Sequence, residues 1–329
     1  MMQMQGLAAI DPNNRPGGPR LVVTAKTANK VQFFDVVSLE RTGEIDMPAS
    51  THEMVLSPDG RAVYASVYGG GIFGKNANAD RRIALIDLEG RAVLRMIDAG
   101  ADVAPHGVML DRDGVLWCTA ELGNAVLAIN PATGCVQSID IGKAAHWLAI
   151  SHAADKVFAS CKTSDFVAVI DRTRRVMTSR LPIPDLAEGL AVSPDGGTVF
   201  VCAHRTPTLY VFDAASETLR RTLTIAGGEG RPNQLKRVHV SPDGCFVCVS
   251  SLLDNHAAIF DAVSLDQVAS ITTRKGPMGF GFAADGRHAF LCCHDDAVVL
   301  EFELTTGRVT RQFATASGCE YIIAFSPAA

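Results

Sequence analysis

Leu190-Ala191-Val192-Ser193-Pro194-Asp195-Gly196, followed by Thr198-Val199-Phe200-Val201-Cys202, reads as an apolar run, a tight turn and a second apolar run. Val, Phe and Cys suit a pleated, half-buried surface, whereas Pro, Asp and Gly supply the turn. Leu209-Tyr210-Val211-Phe212 then ends in Asp213, and Leu219 to Ile225 makes a fourth run. Four short strands joined by turns are predicted from this unit. The unit recurs, with turns beginning at Ser57, Asp111, Ser151, Ser193, Ser241, Ala283 and Ser326. Four strands repeating at about 40–45 residues is the signature of a propeller. The chain is therefore read as all-β, a seven-bladed β-propeller of four-stranded antiparallel blades.

The ends of the repeat predict how the ring closes. Arg20 to Thr24 opens a set of three strands with no inner strand before it, and Tyr321 to Pro327 is an inner strand with no partner after it. The C-terminal strand is expected to pair with the three N-terminal strands, since closure removes exposed sheet edges. Residues 20–329 are read as one propeller domain and residues 1–19 as a flexible arm.

The third strands end at Asp35, Asp87, Asn130, Asp171, Asp213, Asp261 and Glu303. A recurrent acid before a turn is read as hydrogen-bonding its own backbone rather than as catalytic. His239 interrupts an apolar strand and is read as a hydrogen-bonded core histidine.

Composition narrows the function classes. The 329-residue chain is 47% apolar and 20% charged, with a formal net charge of −5. It offers no basic stripe for nucleic acid and no apolar run of roughly 18 residues for a membrane helix. The N-terminus lacks the charged and apolar regions of a signal peptide, so a cytoplasmic protein is expected. The nine cysteines lack a disulfide-like spacing, and Cys118, Cys161, Cys202, Cys248 and Cys292 fall inside apolar strand runs. A closed ring needs no partner, so a monomer or weak oligomer is expected.

Polar residues concentrate at one end of the inner two strands. Five residues before each turn stand His52, His106, His146, Glu188, Lys236, Met278 and Tyr321; the second strands end at Lys26, Tyr68, Glu121, Lys162, His204, Leu252 and His294. In a propeller these two sets meet at the mouth of the central channel. His52, His106 and His146 on consecutive blades are predicted to ligate a divalent transition metal. Zn²⁺ is the first expectation, and Fe²⁺, Cu²⁺ or Ni²⁺ suit the same nitrogens. Glu188 or Glu121 is expected to move a proton, with His204 and Arg237 completing the catalytic set. Tyr68, Lys162, Lys236, His294, Glu320 and Tyr321 are expected to hold substrate. Two glycine-rich segments, Val67 to Arg82 and Ala226 to Leu235, are read as loops over this mouth.

The Ser-Pro-Asp-Gly turns, the Tyr64-Ala65-Ser66 and Phe200-Val201-Cys202 second strands and the Ala168-Val169-Ile170-Asp171 third strand resemble the seven-bladed YVTN-repeat and lactonase-like propellers. The resemblance spans residues 20–327. It implies that His106, Glu121 and the Lys236-Arg237 pair take part in opening or closing a lactone. His52 and His146 depart from that pattern and favour a metal-dependent mechanism. The expected function is a metal-dependent enzyme acting on a small organic substrate, most simply by lactone or ester hydrolysis. A lyase or isomerase abstracting a proton next to a carbonyl fits the same residues. A non-enzymatic ligand- or protein-binding propeller is the remaining alternative.

Overall fold

In the computed structural model, residues 18, 20–72, 74–101, 104–225 and 235–326 are described. The expected arm of residues 1–19 lies, but for residue 18, outside them, as does most of the segment from Ala226 to Leu235.

Seven four-stranded antiparallel sheets are arranged around one axis, and no helix occurs among the described residues. The inner strands of the first six blades are Ser50–Leu56, Pro105–Leu110, Ala145–Ser151, Ala187–Val192, Leu235–Val240 and Pro277–Phe282. Each packs against the inner strand of the next blade. The closing blade joins Cys319–Phe325 to Arg20–Ala25, Lys30–Asp35 and Arg41–Asp46, as the unpaired ends of the repeat required. Hydrophobic clusters fill the seams between blades, and Phe33, Trp117, Phe158, Phe200 and Phe290 are among their largest fully buried rings.

The acids that end the third strands do the backbone work expected of them. Asp35 Oδ1 accepts from the N–H groups of Val37 and Ser38, and Asp213 and Asp261 repeat the pattern. The cysteines are unpaired, and seven of the nine are buried.

One element differs from its reading. The glycine-rich segment after Val67 is a β-ribbon that extends strands Ala62–Ile72 and Lys75–Asp87 beyond the blade. Gly69 sits at φ 108°, and a Cβ there would stand 2.3 Å from the Asn78 carbonyl oxygen. Its glycines therefore let two backbones approach; they are not the mark of a loose loop.

Candidate functional site at the channel mouth

Every inner strand carries a register break at its upper end. Two residues on the inner strand, such as His146 and Trp147, slip past one residue of its neighbour, as in a β-bulge. A bulge re-aims side chains, and here it turns at least one residue per blade toward the axis at the mouth. Hydroxyls in the second strands fix it. The N–H groups of Glu53, Gly107, Trp147, Arg237 and Tyr321 donate to Ser66, Thr119, Ser160, Ser250 and Thr24, respectively. Three of these hydroxyls also donate across the seam to the backbone carbonyls of the three histidines. Thr24 reaches His52 (2.9 Å), Ser66 reaches His106 (2.6 Å) and Thr119 reaches His146 (2.8 Å).

The resulting cavity has a volume of about 500 Å³. Lys26, His52, Tyr68, His106, Glu121, His146, Lys162, Glu188, His204, Lys236, Arg237, Leu252, Met278, His294 and Glu320 all line it, joined by Ile72 and Asp295. Tyr321 does not. Ala324 pairs with Leu21, where Val192 pairs with Val199 in the fourth blade. The last turn thus starts one residue earlier than Ser326, and Glu320 takes the mouth position that a count from Ser326 gave to Tyr321. The Tyr321 ring lies below, 6.2 Å from Trp147 and 5.8 Å from His239.

The three histidine rings form a tilted row. Ring centroids are 4.6 Å apart for His52 and His106, and 4.0 Å apart for His106 and His146. His146 turns toward two acids, its Nε2 3.3 Å from Glu188 and its Nδ1 3.9 Å from Glu121. The compact donor set is a different one. Ligating atoms of His52, Glu53, His106 and Glu320 lie within 4.8 Å of one another, all buried. Such a set can hold a metal ion. Both ring nitrogens of His52, Nδ1 of His106 and Oε2 of Glu53 have no hydrogen-bond partner among the described residues. Buried polar atoms are rarely left this way. Burial first, and then the neighbouring imidazoles and cations, hold His52 and His106 well below their ordinary value, so both rings are neutral.

Arg237 ties the site together beneath the mouth. It is 2% exposed and reaches from the fifth blade to the closing and first blades. Its Nη2 lies 2.9 Å from Glu320 and 3.2 Å from Glu53, its Nη1 lies 3.8 Å from Glu188, and its guanidinium stacks 4.3 Å from the Trp147 ring. Burial alone would raise the Glu320 carboxyl, but the Lys26 and Arg237 cations outweigh it and hold the group ionised. Glu53 is pushed well above its ordinary value, because burial exceeds the pull of Arg237.

Opposite this cluster, Glu188 gathers cations. Lys162 lies 3.1 Å away and Lys236 3.3 Å, with the His204 imidazole beside them at 3.4 Å. Burial favours the protonated acid, yet Lys236, Lys162 and His146 overcome it and leave Glu188 well below its ordinary value. His204 is lowered to about 4, mainly by burial. Glu121 accepts from the Tyr68 hydroxyl at 2.8 Å and from the Gly74 N–H of the β-ribbon at 3.1 Å.

Sequence reading did not single out Glu53, Ile72 or Asp295. Glu53 neighbours His52, but only the bulge explains why two successive residues can both reach the axis. The hydroxyls inside apolar second strands, at Thr24, Ser66 and Thr119, were the available signal. His239 is not hydrogen-bonded as expected: neither ring nitrogen has a partner among the described residues. It packs among aromatic rings, 5.8 Å from both Phe280 and Tyr321, and burial lowers its pKa to about 3.

The chain superposes on the periplasmic gluconolactonase of Pseudomonas aeruginosa with a TM-score of 0.76 and 18% identity, covering 93% of this chain and 99% of that one. The fold is that of the lactonase-like propellers. A 6-phosphogluconolactonase-like protein of Bacteroides fragilis gives 0.74 and 17%, covering 95% and 99%. A chain of hydrazine synthase from Kuenenia stuttgartiensis gives 0.74 and 15%, covering 92% and 99%. At these identities the likeness is one of fold, and one fold hosts several chemistries. In sequence, Antigen Lp49 of Leptospira interrogans is 22% identical over 279 residues, 77% of this chain and 57% of that protein. The chain thus spans a little over half the length of this curated relative. No protein-family model matches it.

Proposed function

We propose that the protein is a metal-dependent hydrolase of lactone or ester bonds, acting on a small organic substrate at the channel mouth. The observation that carries this reading is the cluster of buried donor atoms without hydrogen bonds on His52, His106 and Glu53, with Glu320 beside them, 3.5 Å from His52 Nδ1. Two neutral imidazoles and two carboxyl groups suit Zn²⁺ first, with Fe²⁺, Cu²⁺ and Ni²⁺ as close alternatives. The lactonases among the proteins sharing the fold support the reaction class.

An ion held there would polarise a carbonyl and acidify a water beside it. The chain's own groups complete the chemistry. His146, held between Glu121 and Glu188 and stacked beside His106, is positioned to take a proton from the attacking water and return it to the leaving oxygen. Glu188 itself is a weak base, because its cations stabilise the ionised form. Its role is to hold Lys162 and Lys236 at the mouth, where they offset negative charge growing on the carbonyl oxygen. Arg237 keeps Glu53 and Glu320 in place.

The test is hydrolysis of a panel of lactones and esters by metal-supplemented protein. His146→Asn should lower the rate by about 10²-fold or more without lowering the melting temperature. Failure of the wild type to hydrolyse any member, with metal bound, would overturn the hydrolase reading.

A further inference from the structure

The ring of mouth residues is not uniform. At its upper-strand positions the closing blade and the first four blades offer Lys26, Glu320, His52, Tyr68, His106, Glu121, His146, Lys162, Glu188 and His204. Among the strand-end positions of the ring, Leu252 and Met278 alone carry no ionisable or hydrogen-bonding head; Ile72 of the β-ribbon is the other apolar residue on the cavity wall. Leu252 and Met278 are half-buried, they line the same cavity, and they stand on the fifth and sixth blades, whose facing strands Phe246–Ser251 and Pro277–Phe282 are in contact. Lys236 and His294 flank them. In a seven-fold ring, the seam between the fifth and sixth blades faces the second blade, which carries His106 and Glu121. Met278 packs partly against the core of the closing seam, and the surface that it and Leu252 leave exposed in this polar mouth is buried only when a ligand covers it. A cavity of about 500 Å³ also exceeds what a bare five-membered ring needs, and falls within the roughly 300–1,000 Å³ of ligand pockets that bury larger molecules.

We infer that Leu252 and Met278 form an aliphatic subsite, and that the substrate is a lactone or ester bearing an alkyl substituent that extends from the histidine wall to this notch. The inference rests on the hydrolase reading for its reactive group, but the notch can be tested by binding alone.

The probes are 5-alkyl-2-pyrrolidinones with hydrogen, ethyl, butyl and hexyl substituents, lactams that resist hydrolysis, titrated into the full chain by calorimetry. Each methylene that reaches the notch should tighten binding about three- to fourfold. Leu252→Asn and Met278→Gln should each flatten that gradient. Leu122→Asn should not, since Leu122 is 45% exposed and lies outside the cavity wall. Affinity independent of chain length, a gradient unchanged in both notch variants, or no lactam binding would overturn the subsite. Hydrolysis of the matching lactones is scored separately. A binding gradient without turnover would uphold the notch and remove the hydrolase reading.

Discussion

Above Arg237 the propeller axis is walled by histidines, acids and lysines; below it the same inner strands present Met54, Val55, Met109, Ala149, Ala191 and Val240 around a cavity of about 210 Å³. Two to four positions along the strand separate the halves on the inner strands of the first five blades. Below the bulge the strands pair in regular register, and aliphatic side chains line the narrowing ring together with the Trp147, His239 and Tyr321 rings. At the bulge each blade contributes a different chemical group, and those groups are held by neighbours on other blades. The lower half is a repeat; the upper half is a network. Substitutions should therefore be tolerated below and costly above.

The harshest way to break both halves is to remove the strand they share. Deleting residues 319–329 removes Glu320 from the mouth and strips Arg20–Ala25 of its inner partner. No soluble, cooperatively folded protein is expected. A truncated chain with an unchanged melting curve would refute closure by this strand.

Arg237→Met keeps much of the side-chain volume but leaves Glu53, Glu320 and Glu188 without their shared cation. Removing one partner of a buried charged group costs about 3–5 kcal/mol. The volume-conserving Met109→Leu, in the lower channel, should cost under about 1.5 kcal/mol. Equal losses in denaturant melts would erase the distinction between the halves.

Acid should sharpen it further. His52 and His106 are held well below 6.5 by burial, so the stability of their neutral forms is full above about pH 6.5 and drains as pH falls toward the folded-state values. His239, lowered to about 3, acts in the same direction. Glu53, raised above 4.5, opposes them, because its contribution is present below that value and is lost as pH rises. Glu188 and Glu320 are depressed, so their contributions persist down to about pH 4.5 and are lost below it. Between pH 6.5 and 4.5 the histidines outnumber Glu53, and stability should decline, each imidazole contributing up to about 1.4 kcal/mol per pH unit. Denaturant melts at pH 6.5 and 5.0 measure this. His52→Gln and His239→Phe should each flatten the decline, and the His239 change should leave metal binding intact. Equal stability at the two pH values would contradict neutral buried rings.

The fold was legible because its signals are local. Ser193-Pro194-Asp195-Gly196 makes its turn through its own backbone, and Asp213 binds the N–H groups just after it. Much of the mouth was legible too, since His52, His106, His146 and Glu188 recur at one distance from those turns. What escaped was pairwise. The one-residue slip that exchanges Tyr321 for Glu320 depends on pairing with Leu21, almost 300 residues away in sequence. The turn of His146 toward Glu188, and the entry of Glu53 beside His52, arise from bulges braced by hydroxyls on other strands. Periodicity shows which positions face the axis but not which of their atoms meet.

The most direct measurement is metal binding by purified protein stripped of metal, titrated with Zn²⁺, Fe²⁺, Cu²⁺ or Ni²⁺ by calorimetry and followed by thermal melting. One equivalent should bind, and at a free-ion concentration of 100 Kd it should stabilise the fold by about 2.7 kcal/mol. His52→Ala and His106→Ala should abolish both effects, and His239→Phe neither. A wild-type protein that takes up no stoichiometric ion and gains no stability would contradict a metal centre at the mouth.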